Sequence, residues 1–169
     1  MSIVLVVGST GAGKTTYSEK LAVKLSAVVY SIDSWMKALY WQDMPKNPDN
    51  AWFIENGSWY MDRIGRCESL ILEEVSKRAK LNQKSILDLG FSTSNHRIKF
   101  IKALREMGIE AEIHYLDLPA DLRWERVEKR NLEKGETFVM HVDRKMFDVI
   151  ESIFEPPTAA EGAEVISVK

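Results

Sequence analysis

The sequence predicts an α/β protein, a five-stranded parallel sheet with helices on both faces, and three observations predict it. Apolar runs such as Ile3–Val7 are continuous rather than alternating, which marks strands buried on both faces. These runs alternate along the chain with longer segments of helical periodicity, the order expected when helices cross over between parallel strands. A Gly-rich loop and three aspartates, Asp33, Asp88 and Asp117, fall where strands end. In such sheets ligands bind at the carboxyl ends of the strands, so these groups share an address.

The first strand, Ile3–Val7, runs into Gly8–Gly13, and a helix is expected from Lys14 to about Ser26. Val28–Tyr30 is a short second strand. Ser34, a capping residue type, predicts a helix to about Trp41. Asp43–Asn56 holds Pro45, Asn47, Pro48, Asn50 and Asn56 and reads as a loop. Met61, Ile64, Ile71 and Val75 form one stripe of a long helix over about 58–81. Ser85–Leu89 is a third strand. Ser94 opens a helix that Gly108 ends. Ala111–Leu116 is a fourth strand, and Pro119 starts a helix reaching about Leu132. Asp143–Phe154 reads as a further helix and Glu164–Val168 as the last strand.

The 169 residues suffice for one domain over 1–169, and 45% hydrophobic with 28% charged residues is a globular balance. A net charge of −2 disfavours general affinity for nucleic acid. Cys67 is the single cysteine, so no intrachain disulfide forms, and its spacing from Ile64 and Ile71 places it on a buried face. Ile3–Val7 is too short to span a membrane and lacks a basic leader, so a soluble cytoplasmic chain without a membrane partner is expected. His96, His114 and His141 are scattered, which gives no zinc cluster.

Gly8-Ser9-Thr10-Gly11-Ala12-Gly13-Lys14-Thr15, followed by Thr16, satisfies G-x-x-x-x-G-K-[ST] in full. Glycines let successive N–H groups turn inward around phosphate oxygens, and the following helix aims its positive end at them. Lys14 would reach the β- and γ-phosphates, and the Thr15 hydroxyl would ligate Mg²⁺. The loop therefore predicts ATP with Mg²⁺ as cofactors.

Four blocks, "GSTGAGKTT", "VVYSIDSWMK", "ILDLGFSTSNHR" and "YLDLPADLRWERVEKRN", resemble in order and spacing the small P-loop kinases: polynucleotide kinase, chloramphenicol phosphotransferase and zeta-toxin-like proteins. The resemblance covers most of the chain and implies a three-layer, nucleoside-kinase-like P-loop fold. It implies that Asp33 accepts the proton of the attacking hydroxyl, a role a carboxylate facing a γ-phosphate can fill. It implies that Arg126 stacks on the adenine and that Arg130 neutralises charge on the transferring phosphoryl group. Asn131–His141 would form a lid. Asp88, an acid closing an apolar strand, is placed to hold Mg²⁺ through water or to position Thr15, and in the kinases it resembles such an acid can instead help bind substrate. Arg97 falls where the resemblance places an arginine. The polynucleotide kinase pattern carries a basic residue three places after the acid, and here that place is Met36.

Arg123 shares a helix stripe with Arg126 and Arg130 and is expected on a solvated face with Glu125 and Glu128. The segment of about 34–62 is expected to cover the acceptor. It is rich in aromatic residues, and from Asp33 to Asp62 it holds five acids and two lysines. That balance favours a neutral or cationic small molecule over a polyphosphate strand. The expected activity is a kinase that transfers the ATP γ-phosphoryl group to a hydroxyl of a small molecule. A 5'-hydroxyl polynucleotide or nucleoside kinase is the alternative. A nucleotide-dependent switch or assembly factor is another, although the guanine motif N-K-x-D is absent.

Overall fold

The structure is a computed structural model that describes residues 2–168 except Asn47, Glu136, Thr137 and Val139. The elements are β1 (Ser2–Val7), α1 (Lys14–Leu25), β2 (Val28–Ser31), α2 (Ile32–Tyr40), α3 (Asn50–Lys80), β3 (Ser85–Asp88), α4 (Ser94–Glu106), β4 (Glu110–Leu116), α5 (Ala120–Glu133), α6 (Arg144–Ile153) and β5 (Glu164–Val168). The five strands form one sheet in the order β2-β3-β1-β4-β5, and every pairing is parallel.

The central strand explains its own composition. Ile3, Leu5 and Val7 face one side, where Ile71 and Val75 of α3 and Phe100 and Leu104 of α4 cover them. Val4 and Val6 face the other, against Tyr17, Leu21 and Leu25 of α1. A strand covered on both faces has no place for a polar side chain, so the run is unbroken. Cys67 is buried in the larger of these clusters, as its spacing predicts.

Four boundaries differ from expectation. The cap of α2 is Ser31, whose side chain accepts from the N–H of Ser34, so Asp33 lies in the first turn of that helix. The segment read as loop to Asn56 turns helical at Asn50, because Asp49 caps α3 by accepting from the N–H of Trp52 at 2.8 Å. Asn56 is still marked: with φ −106° and ψ 15° it breaks the helical path inside α3. Pro119 and Asp143 are caps rather than first helical residues. The expected lid begins inside α5, and its Glu136, Thr137 and Val139 lie outside the described residues. Its base is clasped, since Asn131 exchanges two hydrogen bonds with the backbone of Val142. No helix among the described residues is long and apolar enough to cross a membrane.

Arg97 belongs to the scaffold. It is fully buried. Its Nε and Nη2 donate to the Glu161 carboxylate at 2.7 Å each, and its Nη1 donates to the Phe91 carbonyl at 3.0 Å. The pair ties α4 and the loop after β3 to the turn before β5. Removing one partner strands a buried charge, which costs about 3–5 kcal/mol. Arg97→Ala and Glu161→Ala should each lower the urea midpoint by that equivalent, and the double change Arg97→Met with Glu161→Leu should recover most of it. A loss below about 1 kcal/mol, the worth of a surface pair, in either single variant would contradict this account.

Candidate active site

The loop between β1 and α1 is shaped by contacts that only glycine permits. At Gly8 a Cβ would lie 2.9 Å from the Ala12 Cβ and 3.2 Å from the Leu116 carbonyl. Gly11, at φ +81°, presses on the Arg123 carbonyl of α5. Gly13, at φ +90°, leads into α1 with no side-chain cap. The first N–H groups of α1 are therefore unclaimed and point into the loop, beside Thr15 and Thr16. The Lys14 ammonium folds back across the loop and donates to the Gly8 carbonyl at 2.9 Å. Ser9 Oγ is buried and makes no hydrogen bond among the described residues.

Two of the three strand-end aspartates come together. Asp88 ends β3 in register with Ser31 and is 6% exposed. Burial pushes its carboxyl up to about 6, the Asp33 charge adds to this, and the Lys14 ammonium opposes it. Asp33 also acts on two other groups. Tyr60, on α3, has its phenol pushed up to about 12 by burial first and by Asp33 second. Burial lowers the pKa of Arg130, and Asp33 works against that. Asp33 is thus the common electrostatic neighbour of Asp88, Tyr60 and Arg130. Asp117 does not join them. It is exposed and accepts from the Tyr115 hydroxyl at 3.1 Å. A small cleft of about 190 Å³ lies beside Asp88, lined by Thr15, Glu19, Ser31, Ser34 and Trp35.

The arginine stripe divides into three tasks. Arg126 is exposed, with Nη1 3.5 Å from the Ala12 carbonyl and over Gly13. Arg130 is half-buried, and its Nε is buried without a partner among the described residues. Arg123 is not on a solvated face. It is 6% exposed, donates from Nε to the Leu118 carbonyl at 2.8 Å and from Nη1 to the Thr10 carbonyl at 3.3 Å. Its Nη2 pairs with Glu151 of α6. Glu125 and Glu128 are exposed, as expected.

The aromatic segment is largely a cap that packs on itself. Trp35 meets Tyr30, Trp59 meets Tyr40 and Trp52, and Phe53 meets Tyr60 edge-on at 5.1 Å. Its acidity is partly spent: Asp49 is a helix cap, and Asp62 pairs with Arg63 and Arg66 just beyond the segment. Tyr60 went unassigned in the sequence, although it stands four residues before Ile64 on the same helical stripe.

Because Asp88 carries a raised pKa, its ionisation works against folding. That penalty is absent below the unfolded value near 4 and grows as pH rises through 6. In the absence of divalent cations, Asp88→Asn should be more stable than the unchanged protein at pH 7.5, by up to about 3 kcal/mol. The difference should fade as pH falls toward 4. Equal thermal midpoints for the two proteins across this range would contradict the assignment.

No curated protein matches the chain significantly. The profile of the AAA domain family matches residues 3–157. Among solved structures, a candidate kinase from Chloroflexus aurantiacus aligns with TM-score 0.72 and 17% identity, over 99% of this chain and 86% of that one. A gluconokinase from Sinorhizobium meliloti 1021 aligns with TM-score 0.62 and 14% identity, over 99% and 82%. The Pnkp1/Rnl/Hen1 RNA repair complex aligns with TM-score 0.61 and 15% identity, over 89% of this chain and 43% of that one. The chain belongs to the AAA domain family, and its fold is the three-layer α/β fold of the small P-loop kinases.

Proposed function

We propose that the protein is a kinase that moves the γ-phosphoryl group of ATP to a hydroxyl of a small molecule. The observation that carries this reading is Arg130. Its half-buried guanidinium lies within electrostatic reach of Asp33, and its Nε has no acceptor among the described residues. A buried unmatched donor is costly, and an anion is the partner that would satisfy it. Ser9 Oγ, also buried and unpaired, lies on the phosphate loop. The kinase names of the structural neighbours agree with this reading.

Each residue then has a physical task. Backbone N–H groups of Gly8–Thr16 cradle the phosphates. Lys14 gives up the Gly8 carbonyl for the β- and γ-phosphate oxygens. Thr15 and Asp88 face one cleft and would hold Mg²⁺, whose charge removes the cost of ionising the buried Asp88 carboxyl. Bound there, the cation supplies charge neutralisation at the phosphates. Arg126 lies over Gly13, where its planar group can stack on the base. Asp33 takes the acceptor proton as that oxygen bonds to the γ-phosphorus and the bond to the β–γ bridging oxygen breaks. Arg130 holds charge on the moving group. The cleft of about 190 Å³ walled by Trp35 suits a small acceptor.

The test combines two variants with a labelled-ATP screen over sugars, nucleosides, aminoglycosides and 5'-hydroxyl oligonucleotides. Lys14→Ala should abolish transfer while leaving the thermal midpoint unchanged. Asp33→Asn should bind ATP normally and lose about 10² to 10⁴-fold in turnover, the worth of a positioned base. Phosphorylation of oligonucleotides alone would move the acceptor to nucleic acid. Turnover that no hydroxyl compound stimulates would favour a nucleotide switch.

A further inference from the structure

Phe53 joins two parts of the molecule that the chain keeps far apart. It sits on the first turn and a half of α3, before the break at Asn56. There it packs against the cluster of Val127 on α5, Val142, and Met146 and Phe147 on α6. On its other side it meets the Tyr60 ring edge-on at 5.1 Å. Tyr60 lies within electrostatic reach of Asp33. Val127 stands between Arg126 and Arg130 on α5, and Arg130 again faces Asp33. Packing thus joins Tyr60 through Phe53 to α5, and Tyr60 and Arg130 at its two ends both lie within electrostatic reach of Asp33.

The break at Asn56 separates this short arm from the rest of α3. Asn56 has left the helical dihedrals, and its Nδ2 donates to the Trp52 carbonyl at 3.1 Å. Gly57 follows, with nothing within 4 Å of the place a Cβ would take. Ile54 is exposed on the arm's outer side, so the inward contacts of Trp52 and Phe53 are what seat it.

We infer that Phe53 is a positioning residue: it seats the arm Asn50–Glu55 on the helix that carries Arg126 and Arg130, so the acceptor and nucleotide walls of the site set together. This rests on the nucleotide-binding reading above. Nucleotide held by Arg126 at the base and by Arg130 at the phosphates fixes α5, α5 fixes the cluster, and the cluster fixes Phe53 and, through it, Tyr60. Coupling of this kind acts between sites that share no ligand contact.

The experiment is amide hydrogen exchange on the whole protein with a non-hydrolysable ATP analogue and Mg²⁺, alongside the analogue's dissociation constant. In the unchanged protein the analogue should slow exchange over residues 50–56 by roughly tenfold, within the usual span of coupling between sites. Phe53→Ala should bind the analogue within about threefold of normal, a shift of under one kilocalorie, yet lose that protection. Phe53→Leu, which refills the seat, should regain most of it. Asn56→Ala, which mends the helix, should slow exchange in the arm even without nucleotide. Equal protection in Phe53→Ala and the unchanged protein would overturn the inference and leave nucleotide binding standing, as would analogue binding that leaves the arm unprotected in the unchanged protein. Failure of the unchanged protein to bind the analogue would overturn both. If Phe53→Ala does not fold, the Asn56→Ala and Phe53→Leu measurements decide alone: arm exchange unaltered by Asn56→Ala overturns the inference.

Discussion

The Arg123 side chain is the contact on which the rest of the site depends. One guanidinium holds the Thr10 carbonyl of the phosphate loop, the Leu118 carbonyl that follows β4, and Glu151 of α6. Its own backbone carbonyl occupies the space beside Gly11 where a side chain would otherwise stand. That side of the loop is thereby filled. The same contact sets the height of α5, and with it the reach of Arg126 and Arg130 over the loop. The Gly-rich loop and the arginine pair of α5 are one construction, built around the buried Arg123 guanidinium, whose partners are Thr10, Leu118 and Glu151.

Within this frame the site carries groups that do nothing for stability. The Asp88 carboxyl is buried where its charge is unwelcome. Ser9 Oγ and Arg130 Nε are buried without partners among the described residues. Lys14 makes do with a carbonyl of its own loop. Each is a local loss, of the order of 1–3 kcal/mol for an unmatched buried polar group. All lie along the carboxyl edge of β1 and β3 or on the helix facing it. Elsewhere the chain treats buried charge differently: Arg97 and Glu161 satisfy each other with two hydrogen bonds of 2.7 Å. That buried pair is complete in itself, whereas Arg130 Nε and Ser9 Oγ have no partner among the described residues.

The strands and the phosphate loop were legible in the sequence because their signals are local. Ile3–Val7 is apolar because both faces are covered, and the loop's glycines form a recognisable local pattern even though Leu116 and Arg123, distant in sequence, also crowd Gly8 and Gly11. What the sequence misplaced depends on distant partners. Arg123 looked solvated because its helix offers it Glu125 and Glu128, while its real partners stand at Thr10 and Glu151. Ser34 and Ser31 are equally good caps in isolation. The choice falls to Ser31 because β2 stays paired up to that residue, opposite Asp88. The run of Asn and Pro after Asp43 hid a helix whose start is fixed by Asp49. Asp117 shares the strand-end position of Asp33 and Asp88 but follows β4, where Tyr115 engages it.

The central claim is that the unclaimed donors of the loop and of Arg130 are held ready for a triphosphate. A crystal structure with a non-hydrolysable ATP analogue and Mg²⁺ tests it most directly. The account predicts phosphate oxygens inside the Gly8–Thr15 loop, Lys14 Nζ moved from the Gly8 carbonyl onto them, and Arg130 Nε bonded to the γ-phosphate. A loop still closed by Lys14 on Gly8 at saturating analogue, with the nucleotide bound elsewhere or not at all, would contradict it.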